Sequence, residues 1–73
     1  MLEKKSLALS GHRTSLALEA VFWDALSAAA RQDSKSMSKL IAEIDHHRSQ
    51  STEKTGLASA VRVWLFKRCA NLN

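Results

Sequence analysis

The sequence has few of the residues that cross-link or interrupt small domains: one cysteine, no proline and two glycines among 73 residues. Because Cys69 has no partner in the chain, an intrachain disulfide is excluded, and we expect it to be a small buried or half-buried hydrophobe. Without proline, turns must be located from Gly11, Gly56 and clusters of Ser, Thr and Asp. Chains this short often need a disulfide, a metal or a partner chain for stability.

Long apolar runs and catalytic motifs are also missing. No stretch approaches the roughly 20 apolar residues of a membrane span, and no signal-peptide pattern opens the sequence, so we expect a cytoplasmic protein without a membrane partner. The sequence contains no glycine-rich phosphate loop, and no Ser or Cys lies beside a plausible base with an orienting acid. The adjacent His46 and His47 would point about 100° apart on a helix. We therefore expect no enzymatic activity, no metal site and no cofactor.

Positive charge is in excess, with 11 Lys and Arg against 7 Asp and Glu and a net charge of +4. The basic residues concentrate towards the two ends of the sequence: Lys4, Lys5 and Arg13 near the start, and Arg62, Lys67 and Arg68 near the end. Basic surfaces attract polyanions, so nucleic acid is a candidate partner, although small proteins without that role commonly have a net charge of this size.

An alternation of leucines with small or polar residues predicts strands near the start of the chain. The sequence Ser-Leu-Ala-Leu occurs at 6–9 and again at 15–18. These copies could pair as a hairpin within one chain, or the second copy could pair with its counterpart in another chain. We predict a ribbon strand at 13–18, and residues 1–12 form either a basic segment or an extra strand.

Helical periodicity follows the strands. The predicted segments are a first helix at 20–32, a second helix at 36–47, a polar connector at 48–56 and a third helix at 57–70. In the first helix, Phe22 and Leu26 lie on the apolar stripe and Trp23 lies beside it. Ser36 is the expected N-cap of the second helix. The third helix is apolar on more than one side, so we expect it to pack against a second chain as well.

The alternation in the predicted ribbon strand also indicates which side chains point away from the core. If Leu16 and Leu18 point into the core, Arg13, Ser15 and Ala17 point outwards. A two-stranded ribbon fits the major groove of DNA, where Arg pairs with guanine edges and Ser bonds to either base class. The start of the second helix, at Ser36 with Lys35 and Lys39 close by, could hold a backbone phosphate. Lys4 and Lys5 would add nonspecific attraction.

Four ordered blocks of the sequence resemble one known family, the small bacterial ribbon-helix-helix proteins of the MetJ/Arc type. The blocks are Gly11 to Glu19 with Gly-His-Arg-Thr-Ser, Phe22 to Leu26 with Phe-Trp, Leu40 to Asp45 with Ile-Asp, and Leu57 to Val63 with Ser-Ala-Val-Arg. The resemblance covers about nine tenths of the chain, and four ordered blocks are a more specific match than any single motif.

The resemblance implies a mainly α fold with a short β-ribbon, forming an intertwined homodimer with one ribbon strand per chain and an additional C-terminal helix. It also implies a transcriptional regulator that binds double-stranded DNA through Arg13, Ser15 and Ala17. Ala17 departs from the expected pattern because it offers no hydrogen bond to a base. The alternative is a protein-interaction or antitoxin-like dimerisation module with a protein partner. The residues expected in the shared dimer core are Leu16, Leu18, Phe22, Leu26, Leu40, Ile41, Ile44, Val61, Trp64 and Leu65.

Overall fold

The chain folds into a two-stranded ribbon followed by three helices. The structure, a computed structural model, describes residues 1–9, 11–50 and 55–70. Its elements are β1 (Leu2–Leu9), β2 (His12–Glu19), α1 (Ala20–Gln32), α2 (Met37–Gln50) and α3 (Leu57–Cys69). This is the mainly α fold with a short ribbon that the sequence predicts. No helix in the described part of the chain is long and apolar enough to span a membrane.

Both strands of the ribbon belong to the same chain. β1 pairs antiparallel with β2, with Ser6 opposite Ser15 and Leu9 opposite His12. Two residues therefore connect the strands, and one of them, Gly11, has a φ of 86°, in the region that favours glycine and is required in tight hairpin turns. The resemblance leads us to expect one strand per chain, whereas the structure has the intramolecular pairing that the repeat also allows.

The hydrophobic core closes within one chain, where the inner side of the ribbon lies against the three helices. All residues expected in the dimer core are buried here except Phe22 and Trp64, which are partly buried. A second copy is therefore not needed to cover this core. The buried residues of the core are Leu7, Leu9, Leu16, Leu18, Trp23, Leu26, Ala29, Ala30, Leu40, Ile41, Ile44, Val61 and Leu65.

The first turn of α1 differs from the sequence interpretation. Trp23, placed beside the apolar stripe, is only 3% exposed, whereas Phe22, placed within the stripe, is partly buried. Trp23, Leu26 and Ala30 also follow helical spacing, so periodicity fits either orientation. The structure adds a specific contact, since the indole N–H of Trp23 donates a hydrogen bond of 2.8 Å to the backbone carbonyl of Glu3. Trp23 thereby attaches β1 to α1.

The end of α2 is the clearest difference in element limits. The helix continues to Gln50, whereas the apolar pattern ends it near His47. Two polar contacts accompany the extension: Arg48 pairs with Asp45 at 2.7 Å, and the Ser49 hydroxyl donates to the carbonyl of His46 at 2.8 Å. Hydrophobic periodicity cannot detect a helical turn built from polar residues. Residues 51–54 of the predicted connector lie outside the described part of the chain.

A compact turn places the start of α2 immediately after α1. The N–H of Lys35 donates to the carbonyl of Ala30 at 2.9 Å, and the N–H of Ser34 donates to that of Arg31 at 3.2 Å. Ser34 has a φ of 56°. This is the Schellman arrangement that closes a helix C-terminus, and it reverses the chain without glycine or proline.

We predict that Trp23→Phe lowers the free energy of unfolding by about 1 kcal/mol, because the hydrogen bond to the Glu3 carbonyl is lost while an aromatic ring remains. Urea denaturation followed by circular dichroism at a fixed protein concentration measures the change. Phe22→Leu is the control, and we expect a smaller effect because Phe22 is only partly buried. Equal stability of Trp23→Phe and wild type would contradict the proposed attachment of β1 to α1.

Candidate functional site

The ribbon has a solvent-facing side to which each strand contributes equally. Directly opposed residues of an antiparallel pair lie on the same side of the sheet. Lys4 is opposite Ala17, Ser6 is opposite Ser15 and Ala8 is opposite Arg13, all turned away from the buried leucines. These residues form the outer ribbon face, and all are exposed except Ala17, which is intermediate. The face consists of Lys4, Ser6, Ala8, Arg13, Ser15 and Ala17.

Ion pairs hold four of the cations in the helical part of the chain. The described pairs are Lys35–Glu43 at 2.6 Å, Arg48–Asp45 at 2.7 Å, Arg62–Glu19 at 2.9 Å and Arg68–Asp33 at 2.8 Å. Within the described residues, Lys4 and Arg13 form no ion pair. The one carboxylate in register with the outer ribbon face, Glu19 opposite Leu2 at the end of the ribbon, is paired with Arg62. Positive charge is thus retained on the ribbon, whereas Arg62 and Arg68 of the basic C-terminal segment are paired.

The residues predicted to contact phosphate lie at separate places. Lys4 is on the outer ribbon face, but Lys5 is on the inner side, with its Nζ 4.9 Å from the centre of a Trp23 ring. The charge of Lys35 is paired with Glu43. Lys39 is exposed, and its backbone N–H donates to the hydroxyl of Ser36 at 3.1 Å. Ser36 therefore caps α2 in the way its sequence position predicts.

Two arginines of α3 attach this helix to the two ends of α1. Arg68 donates to both carboxylate oxygens of Asp33, just after α1, at 3.1 Å and 2.8 Å. These hydrogen bonds lower the pKa of Asp33 and raise that of Arg68. At the other end, the pKa of Glu19 is lowered by a hydrogen bond with its own backbone and then by Arg62. The arginines of α3 thus act as structural cations.

A second surface, between α1 and α3, is apolar and open to solvent. Val21, Val63 and Phe66 are 67%, 52% and 65% exposed. Together with Phe22 and Ala25 they line a groove of 570 Å³. The other lining residues are Arg62, Leu65, Lys67 and Cys69. We call it the apolar groove. Contiguous exposed apolar surface of this kind is typical of interaction sites.

Cys69 is exposed, so the expectation of a buried or half-buried thiol is wrong. It lies in the last turn of α3, and Leu65, one turn earlier, is the last buried residue of that helix. The helix therefore extends beyond the core before it ends.

Lys4 and Ser6 were not predicted as part of one surface with Arg13 and Ser15. Sequence reasoning assigned Lys4 to nonspecific attraction because it left open whether residues 1–12 form a strand. The alternation of Leu7 and Leu9 contains the missing signal, because extending it back along β1 turns Lys4 and Ser6 away from the core.

The arrangement of a β-ribbon followed by packed helices agrees with a family comparison. Residues 2–69 match the model of the ribbon-helix-helix domain, and the protein belongs to this family. Its members are typically DNA-binding transcription regulators or antitoxins, and they generally form dimers that bind DNA. No curated protein and no solved structure matches the chain.

We predict that Asp33→Asn lowers the melting temperature at pH 7 and that this difference from wild type shrinks in acid. The folded-state pKa of Asp33 is depressed, so the stability from its ion pair is complete above the unfolded pKa of about 4. It is lost as the pH falls through the lower, folded-state pKa. Melting curves of both proteins between pH 7 and pH 2 measure the effect.

Asp24→Asn is the matched control, since Asp24 is exposed and forms no ion pair among the described residues. We expect the control to melt like wild type at pH 7. A deficit of Asp33→Asn that stays constant down to the lowest pH would contradict a role for the ionised carboxylate.

Proposed function

We propose that this protein is a small transcriptional regulator that binds double-stranded DNA as a homodimer and inserts the outer ribbon face into the major groove. The observation that carries the proposal is that this face is largely exposed and holds Lys4 and Arg13 without an ion pair among the described residues, on the ribbon of a ribbon-helix-helix domain. The nearest carboxylate on that side of the ribbon, Glu19, is paired with Arg62. Four cations in the helical part of the chain, Lys35, Arg48, Arg62 and Arg68, are instead held in intramolecular ion pairs.

The side chains of β2 suit base recognition. The guanidinium of Arg13 can donate two hydrogen bonds to O6 and N7 of guanine, and the hydroxyl of Ser15 can donate or accept at either base class. Ala17 contributes apolar contact, for which the methyl group of thymine is the matching partner. A two-stranded ribbon fits the major groove, which is about 12 Å wide.

Phosphate contacts would position the ribbon. We propose the start of α2 for this role, where Ser36 caps the helix and the exposed Lys39 lies in the first turn. Backbone amides at a helix N-terminus and a nearby ammonium group attract phosphate oxygens. Lys5, which contacts Trp23, would contribute only its charge to nonspecific attraction. Lys35 would contribute little, because Glu43 pairs with its charge.

The apolar groove is the proposed subunit interface, and a second copy of the chain is its proposed occupant. The core closes within one chain, so the dimer would form from folded chains and not around a shared core. Family members generally form dimers, and Val21, Val63 and Phe66 offer an apolar patch that can face its own copy across a two-fold axis. A protein-interaction or antitoxin-like module is the second candidate, because the same groove could receive another protein.

DNA binding is tested by fluorescence-anisotropy titration of a mixed-sequence duplex at two salt concentrations, followed by selection of the preferred site from random duplexes. We expect binding at low salt that weakens with log salt in proportion to the phosphates contacted. Arg13→Ala should lower affinity for the selected site by about 5- to 150-fold, the equivalent of roughly 1–3 kcal/mol for a bidentate base contact.

Arg31→Ala is the matched control, because it removes the same charge from an exposed position on α1. We expect it to weaken binding only slightly. Absence of binding at low salt, or equal losses for the two arginine variants, would contradict the proposed function.

Dimerisation is tested by multi-angle light scattering. We expect wild type to have the mass of two chains and Phe66→Glu the mass of one, because a buried carboxylate would oppose association at the apolar groove. Phe66→Glu should keep its helical circular dichroism, since Phe66 is 65% exposed in the single chain. Ala28→Glu, at an exposed position of α1 outside the groove lining, is the control and should remain dimeric. A wild-type monomer at micromolar concentration would overturn the interface.

A further inference from the structure

The sequence repeat and the strand register together give the hairpin an internal symmetry. Ser-Leu-Ala-Leu occurs at 6–9 and 15–18, and a cation precedes each copy by two residues, Lys4 in β1 and Arg13 in β2. In the antiparallel register, Ser6 is directly opposite Ser15. A local two-fold axis perpendicular to the ribbon therefore passes between these serines and relates each copy of the repeat to the other.

The same axis relates the residues on both sides of the ribbon. On the outer ribbon face, it relates Lys4 to Arg13, Ser6 to Ser15 and Ala8 to Ala17. On the inner side, the related residues are Leu7 with Leu16 and Leu9 with Leu18, all of which are buried. A slip of one residue would place the two copies of the repeat on opposite sides of the ribbon and remove this equivalence. The observed pairing therefore makes the two copies of the repeat structurally equivalent.

We propose that the hairpin of a single chain presents two equivalent DNA-contacting strands, and that Lys4 contacts a base as the counterpart of Arg13. This inference rests on the proposed function and extends it to β1. Lys and Arg both recognise guanine O6 and N7. The two cations lie at opposite ends of the outer ribbon face, on different strands, with the serine pair between them.

The spacing of the two cations matches a short DNA site. They are separated along the ribbon by four residues, or about 14 Å at roughly 3.4 Å per residue. That distance corresponds to about four base-pair steps of roughly 3.4 Å. The two strands of DNA are themselves related by local two-fold axes, so a symmetric hairpin matches a short inverted repeat with a guanine on each strand. Ser6 and Ser15 would face the central base pairs.

Adjacent lysines on opposite sides of β1 allow a sharp test. Lys4→Ala and Lys5→Ala remove the same charge one residue apart, but only Lys4 lies on the outer ribbon face. Binding of each variant is measured by fluorescence anisotropy on the selected duplex and on a mixed-sequence duplex. Melting curves verify that the variants fold, and Arg13→Ala is measured in parallel.

We expect Lys4→Ala to lower affinity for the selected duplex by about 5- to 150-fold, comparable to Arg13→Ala, with a smaller loss on mixed-sequence DNA. Lys5→Ala should cause a small loss that is equal on both duplexes. Lys4→Arg should retain the preference for the selected duplex, because Arg offers the same guanine recognition.

Two results would overturn the inference, and they differ in what they mean for the proposed function. If Arg13→Ala loses the preference for the selected duplex but Lys4→Ala behaves like Lys5→Ala, Lys4 is a nonspecific contact and β1 does not recognise bases. DNA binding by β2 would then stand. If the wild-type protein binds neither duplex at low salt, the proposed function fails and the inference fails with it.

Discussion

The antiparallel register that places Ser6 opposite Ser15 is the constraint on which the rest of the structure depends. Side chains alternate between the two sides of a strand, so a slip of one residue would exchange the core leucines with the polar residues. The register is held at one end by the two-residue connection containing Gly11 and along its length by burial of Leu7, Leu9, Leu16 and Leu18. Hydrophobic burial thus determines which residues the ribbon presents to solvent.

The helices pack against the ribbon, and their ion pairs determine which cations of the protein remain unpaired. Trp23 of α1 donates a hydrogen bond to the backbone of β1. Arg62 and Arg68 connect α3 to Glu19 and Asp33 at the two ends of α1. These ion pairs neutralise arginines that a simple count of charged residues would assign to nucleic-acid binding. The consequence is a division of roles, in which the arginines of α3 serve the fold and Lys4 and Arg13 remain accessible on the outer ribbon face.

The fold could be predicted from the sequence wherever periodicity was unambiguous. Alternation placed Leu16 and Leu18 inside and Arg13 and Ser15 outside, and this is where the structure has them. Periodicity could not choose between Phe22 and Trp23, since both fit a helical stripe, and the deciding contact is made with β1, some 20 residues away in sequence. Only tertiary structure contains that information. The polar last turn of α2 escaped prediction because its stabilising contacts are ionic and local.

Only part of the candidate site could be predicted, because the rest depends on strand pairing and on tertiary ion pairs. The composition of β2 pointed to Arg13, Ser15 and Ala17, but the contribution of Lys4 and Ser6 depends on which strand pairs with which, and the repeat alone allowed two answers. Likewise, Lys35 and Lys39 look alike in sequence, yet only the structure shows that Lys35 pairs with Glu43. Charge near a helix start indicates a potential anion contact, and the tertiary partner decides whether that charge is available.

The central claim is that the outer ribbon face is the surface that contacts DNA. The most direct measurement is a two-dimensional ¹H–¹⁵N NMR titration of the protein with a short duplex at low salt. The account predicts that the largest changes in chemical shift occur at Lys4, Ser6, Arg13 and Ser15, with a second, smaller group at Ser36 and Lys39. Changes confined to α1 and α3, or no change at saturating duplex, would contradict it.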